Sequence, residues 1–355
     1  MVVWQALDQG STRRRTTVTQ WICTANHGFA TYAMEELRRL FNDVKFNQLA
    51  PNEIFRMEVP LEREEAMAML QQKEPIFLRH IQPVERILPI EGNADDLQAL
   101  SDLVRNSRLR CENRMTAVHL RRADNSPFLY TAGDTKAILD AVLSEVDCEP
   151  VVQSPELILS IYAGAQELYV GWGTPEEQLS DWPGGAVRFQ REDGQISRAK
   201  FKLLEAERAF KLDFASFGEA LDIGAAPGGW TQLLLERGLY VTSVDPAELH
   251  PSLKQYPRLT YWKKNASDVK FKAEAFDLLV CDMSWSPMQM SKLVLEGIGA
   301  LANGATAIIT VKLMHKKPLQ TIRDVIAKLE SAFVLVKAKQ LFHNRDEITL
   351  YLVKR

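Results

Sequence analysis

The stretch that most limits what this chain can fold into is Leu221-Asp222-Ile223-Gly224-Ala225-Ala226-Pro227-Gly228-Gly229-Trp230, an apolar run entering a glycine-rich loop, followed by the helical pattern of Thr231 to Glu236. Glycine lets a backbone pass close to a ligand, and in an open α/β sheet ligands bind in the crevice at the strand carboxyl ends. Apolar runs that end in acidic or glycine-rich turns recur at Glu219–Ile223, Tyr240–Val244, Leu259–Trp262, Phe276–Cys281, Thr306–Val311, Phe333–Ala338 and Glu347–Val353, with helical spacing between most of them. Near-continuous apolar strands predict a parallel sheet covered on both faces, and the short connection between the last two predicts one antiparallel strand. The run Ser243-Val244-Asp245 sets a carboxylate beside the glycine loop, where it can accept both hydroxyl protons of a ribose. A dinucleotide is disfavoured: the Gly-x-Gly-x-x-Gly spacing fails at Ala226, and Pro227 stiffens the stretch where a pyrophosphate needs backbone N–H donors. That weighs against a nicotinamide-dependent oxidoreductase.

The 355 residues amount to about two domains by the usual ~100–200 residues each, and 46% hydrophobic with 25% charged residues excludes disorder as a whole-chain description. Apolar runs such as Ala305 to Val311 fall far short of the ~20 residues of a bilayer crossing, and no signal peptide opens the chain, so a cytoplasmic protein without a membrane segment is expected. Cys23, Cys111, Cys148 and Cys281 lack Cys-x-x-Cys pairing and zinc-spaced histidines, and read as four buried thiols with no metal site. Net charge −3 leaves nucleic-acid binding to local patches: Arg13-Arg14-Arg15, Arg121-Arg122 and Ser197-Arg198-Ala199-Lys200-Phe201-Lys202.

Residues 1–16 carry no periodicity and read as a flexible leader, and 17–95 alternate strand and helix as a small α+β unit. Residues 96–185 hold a second unit and a linker: a helix near Asp96–Asn106, a strand at Thr116–Arg121, a helix at Asp134–Ser144, strands at Leu157–Tyr162 and Glu167–Trp172, then a Pro/Gly/Glu-rich segment. The α/β domain fills 186–355. The strand–helix–strand–strand order of the second unit, closed by Arg121-Arg122, resembles a THUMP domain, an RNA-binding module.

Four charged residues stand where such a sheet presents its crevice: Lys202 on the helix before the first strand, Asp282 after Leu278-Leu279-Val280-Cys281, Lys312 after Ile308-Ile309-Thr310-Val311, and Glu347 opening the last strand. With Asp-x-Gly-x-x-Pro-Gly-Gly-Trp, they resemble the Lys-Asp-Lys-Glu tetrad and motif I of the FtsJ-like RNA 2′-O-ribose methyltransferases. Ser197-Arg198, Cys281-Asp282-Met283, Lys312-Leu313-Met314-His315-Lys316-Lys317 and Gln340-Leu341-Phe342-His343-Asn344-Arg345-Asp346-Glu347 are similar to the ribosomal large-subunit M type, a class that modifies a cytidine of 23S ribosomal RNA. The loop Ser284-Trp285-Ser286-Pro287 departs from it.

The resemblance implies a seven-stranded Rossmann-like domain behind a ferredoxin-like unit and a THUMP domain, with S-adenosylmethionine as cofactor and ribosomal RNA as partner. It implies cofactor contacts at Asp222, Gly224, Ala226, Pro227, Gly228, Gly229, Trp230 and Asp282. Ser197 would touch the methionine end, Asp245 the ribose, and Asn265 the adenine where the family commonly carries Asp. Arg198, Lys200, Lys316, Lys317 and Arg345 would meet phosphates, with Arg121 and Arg122 as a remote clamp. Methyl transfer to a ribose hydroxyl is an in-line displacement, so alignment and deprotonation are the enzyme's tasks. Lys312 would be the base, favoured as the free amine by the Lys202 ammonium and the cofactor's charge and opposed by Asp282 and Glu347. Lys202 and Glu347 would orient the target ribose. A ribosome assembly factor with a non-catalytic domain of the same fold is the other reading. Base methylation is disfavoured because Asp282 is followed by Met283-Ser284-Trp285 rather than an Asn/Asp-Pro-Pro-Tyr/Phe motif.

Overall fold

In the computed structural model, residues 17–313 and 317–355 are described, so the leader at 1–16, with Arg13 to Arg15, and Lys316 lie outside the described residues. The described residues form three sheets. The first has order β2-β3-β1-β4 and is antiparallel: β1 (Thr19–Thr24), β2 (Lys45–Ala50), β3 (Ile54–Val59) and β4 (His80–Val84), with α1 (Ala30–Leu40) and α2 (Arg63–Gln72) between them. Strand alternation splits β1: Trp21 and Cys23 join the cluster of Ala33, Leu37 and Leu70, while Ile22 packs with Tyr162 and Tyr169 of the next sheet.

The second sheet, order β5-β9-β8-β6-β7, contains β5 (Arg86–Pro89), β6 (Met115–Arg122), β7 (Glu149–Pro150), β8 (Leu157–Ala163) and β9 (Glu167–Gly173), with α3 (Ala94–Arg105), the single turn α4 (Arg108–Cys111) and α5 (Ala132–Glu145). A capping box of Thr131 and Asp134 starts α5. Two cysteines correct the sequence expectation: Cys111 and Cys148 are joined by a disulfide, and only Cys23 and Cys281 remain as buried thiols. The return from α5 lays Asp147 against α4, where its carbonyl accepts from the Asn113 N–H at 2.7 Å, and this brings the two Cα atoms to 5.4 Å.

The third sheet has seven strands in the order β12-β11-β10-β13-β14-β16-β15: β10 (Glu219–Ile223), β11 (Tyr240–Val244), β12 (Leu259–Trp262), β13 (Phe276–Cys281), β14 (Leu301–Lys312), β15 (Phe333–Lys339) and β16 (Glu347–Lys354). Only β16 runs against its neighbours. Helices α6 (Ala199–Ala209), α7 (Gly229–Glu236), α8 (Pro287–Glu296) and α9 (Pro318–Leu329) accompany the sheet, and the strand order reverses beside β10, which puts the crevice at the ends of β10, β11 and β13. No helix among the described residues is long and apolar enough to cross a membrane.

A polar seam ties the first sheet to the loop that leads into β16. Lys339 is buried and pairs with Glu74, the Gln340 N–H donates to the Ile76 carbonyl at 2.9 Å, and Asn26 donates to the carbonyls of Leu341 and Asn344 at 2.8 and 3.0 Å. Arg79, buried under Phe342, donates to the Asn26 side-chain oxygen at 2.6 Å. Replacing Asn26→Ala leaves the Asn344 carbonyl without its partner and takes one hydrogen bond each from the Leu341 carbonyl and the buried Arg79 guanidinium. The expected loss is about 1–3 kcal/mol in urea denaturation; an unchanged midpoint would show the seam contributes nothing.

Candidate active site

Antiparallel register sets the first contact of the site. Lys312 at the end of β14 is the direct partner of Glu347 at the start of β16, and their side chains meet at Nζ to Oε2, 3.1 Å. Lys202 enters from α6 and contacts the other oxygen of Glu347 at 2.6 Å, while also donating to both oxygens of Asp282 at 3.1 and 3.3 Å. Asp282 follows β13 and accepts a 2.7 Å hydrogen bond from the Thr310 hydroxyl. The four residues expected as a tetrad therefore form one continuous chain, Asp282–Lys202–Glu347–Lys312. Thr310 was missed by sequence reasoning, although it lies two residues before Lys312 on one strand face, which is the signal that could have found it.

The electrostatics separate the two lysines' partners. Burial disfavours the Lys202 ammonium, but Asp282 and Glu347 outweigh it and hold this pKa above the ordinary value. Burial likewise works to raise Glu347, and the hydrogen bond and charge of Lys202, with Lys312, reverse the sign and keep it lowered. Lys202 is thus a fixed cation held by two carboxylates, whereas Lys312 holds only one of them and is the more exposed of the two.

The glycine loop lies next to this chain. Gly228 opens α7 at φ +111°, in the left-handed region. A Cβ at Gly229 would run into the Ser197 hydroxyl, so only glycine lets the loop close on the start of α6. Asp245, half-buried, accepts from the N–H groups of Ala226 (3.1 Å) and Ala247 (2.7 Å), which fixes its carboxylate at the loop with lone pairs to spare. Pro227 is exposed and Ala226 half-buried at the same place, and Asn265 is exposed beyond β12, its amide donating to Asp268 at 3.2 Å.

Four expected contact residues are placed differently. Trp230 is buried and its indole N–H donates to the Ala199 carbonyl at 2.8 Å, so it fastens the loop to the helix of Lys202 instead of lining the crevice. Asp222 lies beneath the loop, fully buried, accepting from Thr231 at 2.6 Å, and burial pushes its pKa up to about 7. Lys200 has 3% of its side chain exposed and pairs with Glu192 (2.9 Å) and Glu236 (2.6 Å), which removes it from any phosphate. Arg121 points inward from β6, donating to Thr24 at 2.5 Å and covering Gly184, while Arg122 faces out and donates to the Phe128 carbonyl. Exposed cations near the tetrad are Arg198, Lys317 and Arg345.

A buried carboxylate joins the seam to the site. Glu205, one turn along α6 from Lys202, accepts from the N–H groups of Phe342 (2.7 Å) and His343 (2.8 Å), so α6 grips the segment that delivers Glu347. Asn344 closes the same segment, its side-chain oxygen accepting from the Leu341 N–H and the Thr349 hydroxyl.

A parallel sheet with one reversed strand, a glycine loop at the turning point and a ribose-type carboxylate beside it define an α/β domain of the methyltransferase kind. Residues 195–338 match the family model described as FtsJ-like methyltransferase. A protein of Halorhodospira halophila named ribosomal RNA large subunit methyltransferase M is 34% identical over 199 residues, 54% of this chain and 56% of its own length. The protein of that name from Laribacter hongkongensis is 32% identical over 52% of this chain and 53% of its own length, so the chain spans about half the length of these relatives. The Azoarcus protein of that name aligns over 79% of both chains at 25% identity. Among solved structures, TrmN from Thermus thermophilus covers 95% of this chain with a TM-score of 0.38 and 14% identity.

Burial raises Glu205 to about 7, against which its two backbone hydrogen bonds work. A folded-state pKa above the unfolded value of 4.5 gives stability that is complete below 4.5 and lost as pH rises through 7. The unfolding midpoint should therefore fall between those pH values, and Glu205→Gln should flatten part of that fall, leaving the share due to Asp222. A variant with the full wild-type pH slope would remove Glu205 from the account.

Proposed function

We propose that the chain is an S-adenosylmethionine-dependent enzyme that methylates a ribose 2′-hydroxyl of ribosomal RNA, a cytidine of the 23S molecule being the target favoured by the M-type resemblance. The observation that carries the reading is the Glu347 carboxylate shared between Lys202 and Lys312, with Lys202 anchored in turn by Asp282. The residues at the loop fit the cofactor: Asp245 presents a carboxylate suited to a vicinal diol, and Pro227 leaves no N–H array for a pyrophosphate. Asn265 and Ser197 would hold its adenine and methionine ends, with Gly224, Gly228 and Gly229 giving the loop its close path. When bound, S-adenosylmethionine supplies a methyl group already activated by a sulfonium.

The chain's own residues then do two things. Lys202 and Glu347 orient the ribose hydroxyl, and Lys312 accepts its proton at Nζ, with Thr310 and Asp282 keeping Lys202 in place. Because β5 (Arg86–Pro89) pairs within the second sheet, the boundary expected at 95 lies ahead of it: residues 17–85 act as a ferredoxin-like unit and 86–185 as a THUMP-like RNA-binding unit with its linker, ahead of the methyltransferase domain at 186–355. Arg122, Arg198, Lys317 and Arg345 meet the RNA backbone.

Lys312→Ala and Lys312→Arg should each lower transfer of labelled methyl to unmodified ribosomal RNA by at least ~100-fold, with S-adenosylmethionine affinity retained. Arginine keeps the charge and cannot take a proton, so an active Lys312→Arg enzyme would overturn the base assignment. The wild-type product should resist alkaline cleavage at the modified position; a methyl group found on a base would reject ribose transfer.

A further inference from the structure

Trp285 is not used by any of the chemistry above. It stands in the loop between β13 and α8, three residues after Asp282, and its side chain is 42% exposed. The other described tryptophans are buried or half-buried, with Trp21, Trp172 and Trp230 inside the cores. Met288, on the first turn of α8, is a second exposed apolar side chain in this segment, at 46%.

The loop is built to hold the indole out. Met283 turns inward, where its side chain covers Gly224 of the cofactor loop. At the other end, Ser286 accepts from the Gln289 N–H as the helix cap, and Pro287 occupies the first helical position. Three residues span at most about 10 Å, which confines Trp285 to the rim of the crevice beside Asp282. Exposed cations at Arg198, Lys317 and Arg345 belong to the same domain. A large apolar surface at a charged rim marks a binding site, and a flat π-face matches a nucleobase that is out of its helix.

We infer that Trp285 is a stacking platform for an unpaired base of the RNA, that of the target nucleotide or its neighbour, and that the enzyme selects single-stranded RNA through it. The inference rests on the proposed RNA substrate. Stacking of this kind is sequence-tolerant, so it sets affinity for unpaired RNA and not the identity of the base.

The test uses the full chain with two probes, a single-stranded oligocytidine and an RNA duplex of equal length, together with methyl transfer to unmodified ribosomal RNA. Oligocytidine should quench the indole fluorescence of the wild type, and Trp285→Ala should abolish that quench and weaken single-strand binding roughly ten- to hundredfold. Trp285→Phe should restore most of the affinity, while duplex binding, S-adenosylmethionine affinity and the unfolding midpoint stay unchanged. In transfer assays the Ala variant should raise KM more than it lowers kcat. Wild-type single-strand affinity in Trp285→Ala, or an equal loss on the duplex, would overturn the inference. A Trp285-dependent quench without transfer to any ribosomal RNA would keep the platform and reject the proposed reaction.

Discussion

A carboxylate buried as deeply as Glu347 cannot keep its charge unless cations meet both of its oxygens, because desolvation costs several kcal/mol per ion. Here one oxygen meets Lys202 and the other Lys312, and Asp282 supplies the second negative charge. The four groups sum to zero when both lysines are protonated, and each depends on its neighbours for that balance. Removing any one leaves an uncompensated charge in a half-buried place, so the cluster is a single electrostatic unit and not four separate contacts. Lys312 is tied to one carboxylate while Lys202 is tied to two, so the two lysines are held unequally.

The unit requires that three elements arrive in register. Lys312 and Glu347 do so through the β14–β16 ladder, which is local and strong. Lys202 comes from a helix outside the sheet, and its placement rests on two attachments: Trp230 fastens the start of α6 to the glycine loop, and Glu205 fastens its middle to the segment ahead of β16. That same segment is held from the far side by Asn26 and Arg79 of the first sheet. The amino-terminal half thus contributes to the site without supplying any of its charged groups. It sets the path of residues 340–346.

The C-terminal strands were legible because buried parallel strands read as apolar runs, and the tetrad was legible because its members end or open such runs. Side-chain direction was less so. Lys200 and Lys202 share one basic stretch, yet two residues on a helix turn about 200°, so one is buried against Glu192 and Glu236 while the other enters the crevice. Arg121 and Arg122 divide in the same way, by strand alternation. Pairings that depend on tertiary approach carried no local signal: Cys111 with Cys148 across 37 residues, and Asn26 with Leu341 across 315. Trp230 belongs to a motif that suggested a ligand, but its size and its N–H suit a buried anchor with one hydrogen bond.

These attachments explain why a motif at the cofactor loop and a charge on a separate helix belong together. Gly229 has no Cβ because Ser197 occupies that space, and the next residue, Trp230, binds the carbonyl of Ala199. Movement of the loop would carry the start of α6 with it, and with α6 the Lys202 ammonium that holds Asp282 and Glu347. Asp245 accepts from the Ala226 N–H, so the carboxylate proposed for the cofactor's ribose is bonded to the same loop. Cofactor seat and charge cluster are therefore coupled by two hydrogen bonds and one close approach, a short path in which each link is a named contact. Rigidity along it confers alignment, which the proposed in-line displacement requires.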